Sequence, residues 1–191
     1  WRNRIALPPR GHIGIFNRSH YEECLVTRVH PELLAKEKLP QKLVTKNIWK
    51  ERFEDIAAWE RYLCRNGTVV LKFFLNLSKD EQRQRFLDRL EDPAKQWKFS
   101  MDDIKERALW PRYQAVYQDI VRHTATAHAP WYVVPADHKW FARVVIGSVI
   151  NAALEKLDLR FPRADKASLE EFKEVRKALE KEGTGGKKQA K

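Results

Sequence analysis

The apolar positions change period along the chain, and each change marks an element. HIGIF, residues 12–16, is a short apolar run closed by the polar corner Asn17-Arg18-Ser19, which predicts a strand ending there and a helix starting after it. From Pro31 to Gln41 Pro, Lys and Glu dominate, the composition of a solvent-facing connection. Thr45 is placed to cap a helix in which Trp49, Phe53, Ile56, Glu60 and Leu63 recur at steps of three and four, and Asn66-Gly67 supplies its stop. TVVLKFFLNL, Thr68 to Leu77, is almost wholly apolar and rich in β-branched and aromatic residues, the pattern of a strand buried on both faces of a parallel sheet.

Ser78 with Glu81 three residues on forms a capping box, and the helix it opens carries Arg83, Arg85 and Arg89 and stops before Pro93. Ser100 and Asp103 open another helix to about Thr124, with Ile104, Leu109, Tyr113, Val116 and Ile120 in phase. WYVV, Trp131 to Val134, predicts a third strand; Pro135-Ala136 turns, and Asp137 caps a helix to about Leu157. Helices separate all three strands, so the expected class is α/β, a parallel sheet covered by helices. Beyond Arg163 the charged, Ala-containing stretch predicts a helix running into a flexible GTGGKKQAK tail. Three strands are few for such a sheet, which predicts further strands on the N-terminal side.

Composition narrows the class. At 191 residues, 43% hydrophobic and 33% charged, the chain can bury one core but not two sizeable ones. It has no run of 18 apolar residues, and WRNRIALPPR lacks the apolar stretch of a signal peptide, so a soluble, cytoplasmic protein without membrane attachment is expected. Cys24 and Cys64 stand far apart with no CxxC spacing, which argues for buried thiols and against a zinc site or disulfide scaffold. The formal charge of +11 favours a polyanionic partner: nucleic acid, nucleotide, phosphate polymer or anionic membrane. No glycine-rich loop links a strand to a helix in the body of the chain, so an intact phosphate-cradling loop is absent from these residues.

Three cationic corners carry candidate chemistry. Asn17 and Arg18 follow the first predicted strand, where open parallel sheets bind ligands, and an arginine fork donates two parallel bonds to phosphate. Arg85 and Arg89 share a helix face, with Lys95 and Lys98 in the Pro-broken stretch that follows. Lys139 and Arg143 lie in the first turns of the final helix, whose N-terminus already favours anions. Each corner also reads as a solvated or capping face. Five of the six histidines, His20, His30, His123, His128 and His138, make no HxxxH or HExxH pattern and are read as packing or surface residues. The tryptophans are read as mostly core, with Trp97 and Trp110 beside cations and able to stack a base.

IGIFNRSHYE, LKFFLNLSKDEQRQRF, DPAKQWKFS and APWYVVPADHKWFAR, in that order and at similar intervals, resemble the polyphosphate kinase 2 family over roughly Trp1 to Arg160. The resemblance implies a P-loop kinase fold akin to thymidylate kinases. It also implies Mg²⁺-dependent, in-line transfer of phosphate between inorganic polyphosphate and a nucleoside mono- or diphosphate, AMP/ADP or ATP. Asn17-Arg18 matches the family's Walker B corner, where many members have Asp-Arg; the Arg binds phosphate and the acid helps hold magnesium. Asn at position 17 resembles the subgroup that phosphorylates both AMP and ADP, and limits any metal role there to contact through water. Tyr21 and Arg28 match positions near the nucleotide. Arg85, Arg89, Lys95 and Lys98 fall on a lid spanning about 78–112, and Lys139 and Arg143 match the basic corner lining the polyphosphate channel.

The implied domain is 1–163, a partial polyphosphate kinase 2 domain, with 164–191 a charged flexible tail. The family's Walker A loop lies upstream of everything in this sequence, so these 191 residues alone are expected to be inactive or nearly so. A homo-oligomer is expected, and nucleic acid is not an expected partner. Two alternatives stay open: a catalytically inactive remnant that binds polyanions, and an ATP-dependent nucleoside monophosphate kinase.

Overall fold

The structure, a computed structural model, describes residues 5–185, with the side chains of 183–185 left aside. Residues 1–4 and the tail's end, 186–191, with the flexibility expected of it, lie outside the described residues. In chain order the elements are α1 (Glu22–Val29), α2 (Pro31–Lys36), α3 (Ile48–Arg65), β1 (Lys72–Asn76), α4 (Lys79–Glu91), α5 (Met101–Ala108), α6 (Trp110–Thr124), β2 (Trp131–Pro135), α7 (Lys139–Lys156) and α8 (Lys166–Gly185). The chain parts into two compact units, 1–153 and 154–191. The second holds the end of α7, the connection after it and the charged helix α8.

The fold of the first unit is mostly helical α/β around one two-stranded parallel sheet. Lys72 pairs with Trp131 and Asn76 with Pro135, so both strands end at the same level. The core sits beside the sheet. Tyr21, Cys24, Leu25 and Val29 from the start and body of α1 meet Phe53 and Ile56 of α3 and Val116 and Ile120 of α6. The spacing of three and four in each set is what puts these residues on one helix face.

Several sequence expectations are corrected. Residues 12–16 form no strand: a ladder needs a partner, and among the described residues none pairs with them, leaving Ile13 and Ile15 exposed. The strand expected from 68 to 77 shortens to the five residues that face β2, and the sheet is not buried on both faces, since Leu75 of β1 and Val133 of β2 are about half exposed. The single helix expected from 100 to 124 breaks at Leu109, because Pro111 lacks an amide proton and its ring would strike the carbonyl four residues back. Apolar phase continues across the break and hid it.

The exposed connection from 31 begins with α2, opened by Pro31 in the first turn, where a missing amide is harmless. The helix expected from Thr45 starts at Ile48, with the Thr45 hydroxyl accepting from the Asn47 amide. Gly67 closes it at φ 85°, a conformation that glycine takes without strain. Cys24 is buried as expected, but Cys64 is only half-buried, and neither is in a disulfide. The tryptophans are less central than expected: among the described residues none is fully buried, Trp131 packs against the core from its edge, and Trp97 and Trp140 are exposed.

Candidate active site

The carboxyl ends of β1 and β2 open onto a cleft of about 330 Å³ lined by Asn76, Leu77, Ser78, Pro135, Asp137, His138 and Phe141. Parallel order puts it there: both strands deliver the chain to the same end, and each is followed by a helix, α4 or α7, that begins at the cleft. Ser78 caps α4 by accepting from the Glu81 amide at 3.1 Å. The expected capping box is only half made. The Ser78 amide donates to Asp137 Oδ1 at 2.7 Å, and Glu81 accepts from Arg85 Nε at 2.9 Å instead. Asp137 thus serves α4 rather than capping its own helix, and the Ser78 bond holds its carboxyl below the usual range.

Arg85 completes the tie. Its Nη2 donates to the carbonyls of Ala136 at 2.9 Å and Asp137 at 3.2 Å, so two of its five donors join α4 to the turn after β2, while Nε stays within α4 on Glu81. The first turns of α7 then present Lys139 and Arg143, one turn apart and exposed. In the last turn of α4, Arg89 lies 3.9 Å from Asp103 and over the Phe86 ring, while Lys95, past the end of the helix, pairs with Asp92. Lys98 sits 5.1 Å above the ring of Trp97, which is 78% exposed and donates its indole N–H to Ala94 O. Arg107 of α5 donates to Lys79 O and Gln82 Oε1, holding α5 against the first turn of α4.

Asn17 and Arg18 form a separate exposed bend before α1, outside the cleft lining. Arg18 adopts φ 71°, a left-handed conformation that costs a non-glycine residue about 1–3 kcal/mol and is typical of functional sites. Its side chain is 80% exposed and only 3.7 Å from Glu22. Tyr21 and Arg28, by contrast, are engaged within the body. Arg28 pairs with Asp119 and lies 5.7 Å from the ring centres of both Trp49 and Phe53. The buried Tyr21 hydroxyl donates to Glu60 Oε1 at 2.7 Å.

Tyr21 belongs to a cluster that sequence reasoning missed. Lys72, the first residue of β1, buries its ammonium against Glu60 Oε2 at 2.6 Å, Thr124 O at 2.8 Å and the Tyr21 hydroxyl oxygen at 3.1 Å. Burial lowers the Lys72 pKa against the opposing pull of Glu60 and raises that of Tyr21. Burial pushes Glu60 up, but His20, Lys72 and Tyr21 outweigh it and leave the carboxyl below its usual range. The available signals were one lysine inside an apolar strand and one glutamate on the apolar stripe of α3. A second cluster links His30, between α1 and α2, to Glu106 of α5 at 3.0 Å, with Tyr113 of α6 donating to the same carboxylate oxygen at 2.6 Å.

Among the described residues no three His, Cys, Asp or Glu side chains converge on a metal site, and no helix is long and apolar enough to cross a membrane.

Residues 1–162 match the polyphosphate kinase 2 family. The chain is 44% identical to the ADP-polyphosphate phosphotransferase of Rhodopseudomonas palustris, covering 94% of this chain and 62% of that protein. It is 43% identical to the AMP/ADP-polyphosphate phosphotransferase of Meiothermus ruber, covering 88% of this chain and 59% of the relative. The crystal structure of polyphosphate kinase 2 from Arthrobacter aurescens superposes with a TM-score of 0.78 at 37% identity, over 90% of this chain and 58% of that one. The chain therefore spans about three fifths of the length of these relatives.

Proposed function

Because the chain belongs to the polyphosphate kinase 2 family, we propose that its protein moves phosphoryl groups between inorganic polyphosphate and AMP or ADP. The observation that carries this reading is the cleft beyond the ends of the parallel strands, onto which α4 and α7 open, with Lys139 and Arg143 exposed in the first turns of α7. Helix N-termini and cations together suit a chain of phosphates, each unit of which brings negative charge. The fold is that of a P-loop kinase in this proposal, with the Walker A contacts made by residues other than these.

In the transfer, Arg18 donates its fork to the moving phosphoryl group, next to Asn17, and stabilises charge as it spreads over the equatorial oxygens. Lys139 and Arg143 hold the polyphosphate chain. Arg89, Lys95 and Lys98, on α4 and the connection to α5, close over the phosphates as a lid. Arg85 keeps the lid helix registered against the β2–α7 turn through the carbonyls of Ala136 and Asp137, with its remaining donors directed to phosphate. No covalent protein intermediate is needed. Among the described residues the donor set does not make a magnesium site by itself: no three His, Cys, Asp or Glu side chains converge, and Asn17 offers one neutral oxygen. Magnesium is accordingly taken to arrive on the phosphate oxygens of the substrates, and no step is assigned to it here.

The test is ATP formation from ADP and polyphosphate by the protein at its natural length, with binding of each substrate followed by calorimetry. Arg18→Ala is expected to lower turnover about 10²–10³-fold and polyphosphate affinity far less. Polyphosphate binding with no binding of ADP or AMP in the presence of Mg²⁺ would favour a polyanion-binding protein instead, and transfer from ATP alone would favour a nucleoside monophosphate kinase.

A further inference from the structure

Arg18 holds a left-handed backbone that its own contacts do not explain, since the 3.7 Å approach to Glu22 lies in solvent, where such pairs are weak. Strain of this kind persists where adjoining structure over-determines it. The adjoining structure is the turn that follows. The Tyr21 amide donates to Ser19 Oγ at 3.3 Å, and its ring packs edge-on to Trp131 at 4.9 Å. The Tyr21 hydroxyl sits between Glu60 of α3 and Lys72 of β1, and the ammonium of Lys72 reaches on to Thr124 O of α6. His20, whose ring is 4.7 Å from that of Tyr21 and edge-on to Trp59 at 4.9 Å, brings Nε2 to 3.8 Å from the same glutamate. Elements α3, β1 and β2 thus converge directly on His20 and Tyr21, which follow the Asn17-Arg18 bend and Ser19. A buried ion pair is no better than apolar packing as a source of stability, but its directed bonds fix geometry that apolar packing would leave loose.

We propose that Tyr21, Glu60 and Lys72 are positioning residues: their hydrogen-bonded triad fixes the entry to α1 and so holds Arg18 in its left-handed conformation with the guanidinium presented outward. The proposal rests on the phosphate-binding role given to Arg18 above.

Tyr21→Phe keeps the ring and removes only the hydroxyl, leaving the 2.6 Å Lys72–Glu60 bond and the Lys72 bond to Thr124 O in place. In the protein at its natural length, kcat for phosphoryl transfer is expected to fall about tenfold while the nucleotide KM changes less than about twofold. Placed in an Arg18→Ala background, the same substitution is expected to change kcat by less than about twofold, because the group it positions is gone. An unchanged kcat in Tyr21→Phe, or losses that multiply in the double variant, would overturn the proposal. A readout independent of turnover is the Arg18 Nε–H resonance in protein labelled with ¹⁵N-arginine. It must shift or broaden in Tyr21→Phe while that of Arg143 stays in place, and an unmoved Arg18 signal counts against positioning whatever the rate. If Arg18→Ala leaves turnover intact, the phosphate-binding reading of Arg18 fails, and the resonance alone then decides whether the triad positions the bend.

Discussion

At Lys72 every ammonium proton has an acceptor inside the protein, whereas Lys139 and Arg143, on the first turns of α7, stand in solvent one turn apart. Both regions carry cations beside the same two-stranded sheet, one at the start of β1 and the other just past the end of β2. The difference lies in who supplies the counter-charge. A buried ammonium must be neutralised by the fold, so Glu60 is almost wholly inaccessible, and the pair defines an internal junction. Exposed cations one turn apart repel each other in the absence of an anion, and it is on this ground that they are proposed to serve a ligand rather than the fold. Arg85 stands between the two cases: half-buried, with part of its fork committed to backbone carbonyls and part still open.

The contrast breaks most readily at Lys72. Lys72→Met leaves Glu60 buried without its partner and is expected to cost about 3–5 kcal/mol in denaturant unfolding. The paired change Glu60→Leu with Lys72→Met is expected to recover most of that stability, because packed apolar groups replace the ion pair at little net cost. A single variant within about 0.5 kcal/mol of the original would mean that water reaches the junction and that the two regions differ less than their burial implies. If the repacked double variant is stable yet slow in phosphoryl transfer, the junction is needed for geometry more than for stability.

The opposite signature is expected at the exposed corner. Lys139→Ala with Arg143→Ala is expected to leave the unfolding free energy within about 0.5 kcal/mol, since neither side chain is buried. Polyphosphate affinity is expected to fall, and the dependence of log affinity on log salt to flatten by about one to two, one counterion release being lost for each cation that touches phosphate. Binding measured by calorimetry across a salt series checks both. A flat comparison, with affinity lower but the salt slope unchanged, would show that these cations act without direct contact to the polymer.

How far the sequence carries depends on the range of the interaction. Ser78 and Ser100 with Asp103 were legible as helix starts because capping is settled within four residues, and β2 was legible because its apolar run is bounded by Pro at both ends. The four family motifs pointed to the family that residues 1–162 match. Residues 12–16 were misread because a strand is a property of two segments, and periodicity in one does not supply the other. Pro111 could have been read as a break, but Ile104, Leu109, Tyr113, Val116 and Ile120 keep phase across it. Tyr21 was expected near the nucleotide from the motif around it. Its partners, Glu60 and Lys72, are 39 and 51 residues away, a pairing that no local pattern announces. The three corners were legible as charge, but the exchange at the cleft by which Asp137 serves Ser78 and Arg85 serves the β2 turn required the fold.

The smallest effect is expected at His30, which lies between the two cases: a titratable group at the edge of the body, with carboxylates on both ring nitrogens. Nε2 faces Glu106 of α5, to which Tyr113 of α6 also donates, and Nδ1 lies 3.2 Å from Glu32 of α2. The bond to Glu106 raises His30 above its ordinary 6.5, so the stability it contributes is fully present below 6.5 and is lost as pH rises through the higher folded value. Glu106 is held below its ordinary 4.5 by Tyr113 and His30, so its contribution is present above 4.5 and is lost as pH falls through the lower folded value. Both contributions are in force between 4.5 and 6.5. His30→Gln, which can still hydrogen-bond but cannot take the charge, is therefore expected to melt about 1–2 °C below the unaltered protein within that window. The gap should close as the pH is raised towards 8, in thermal unfolding at fixed ionic strength. A gap that stays constant from pH 5 to pH 8 would mean that His30 joins α2 to α5 as a neutral ring. The Glu106 carboxylate would then be satisfied by Tyr113 without a counter-charge, and the cationic ring would have no part in holding the start of α2 to α5.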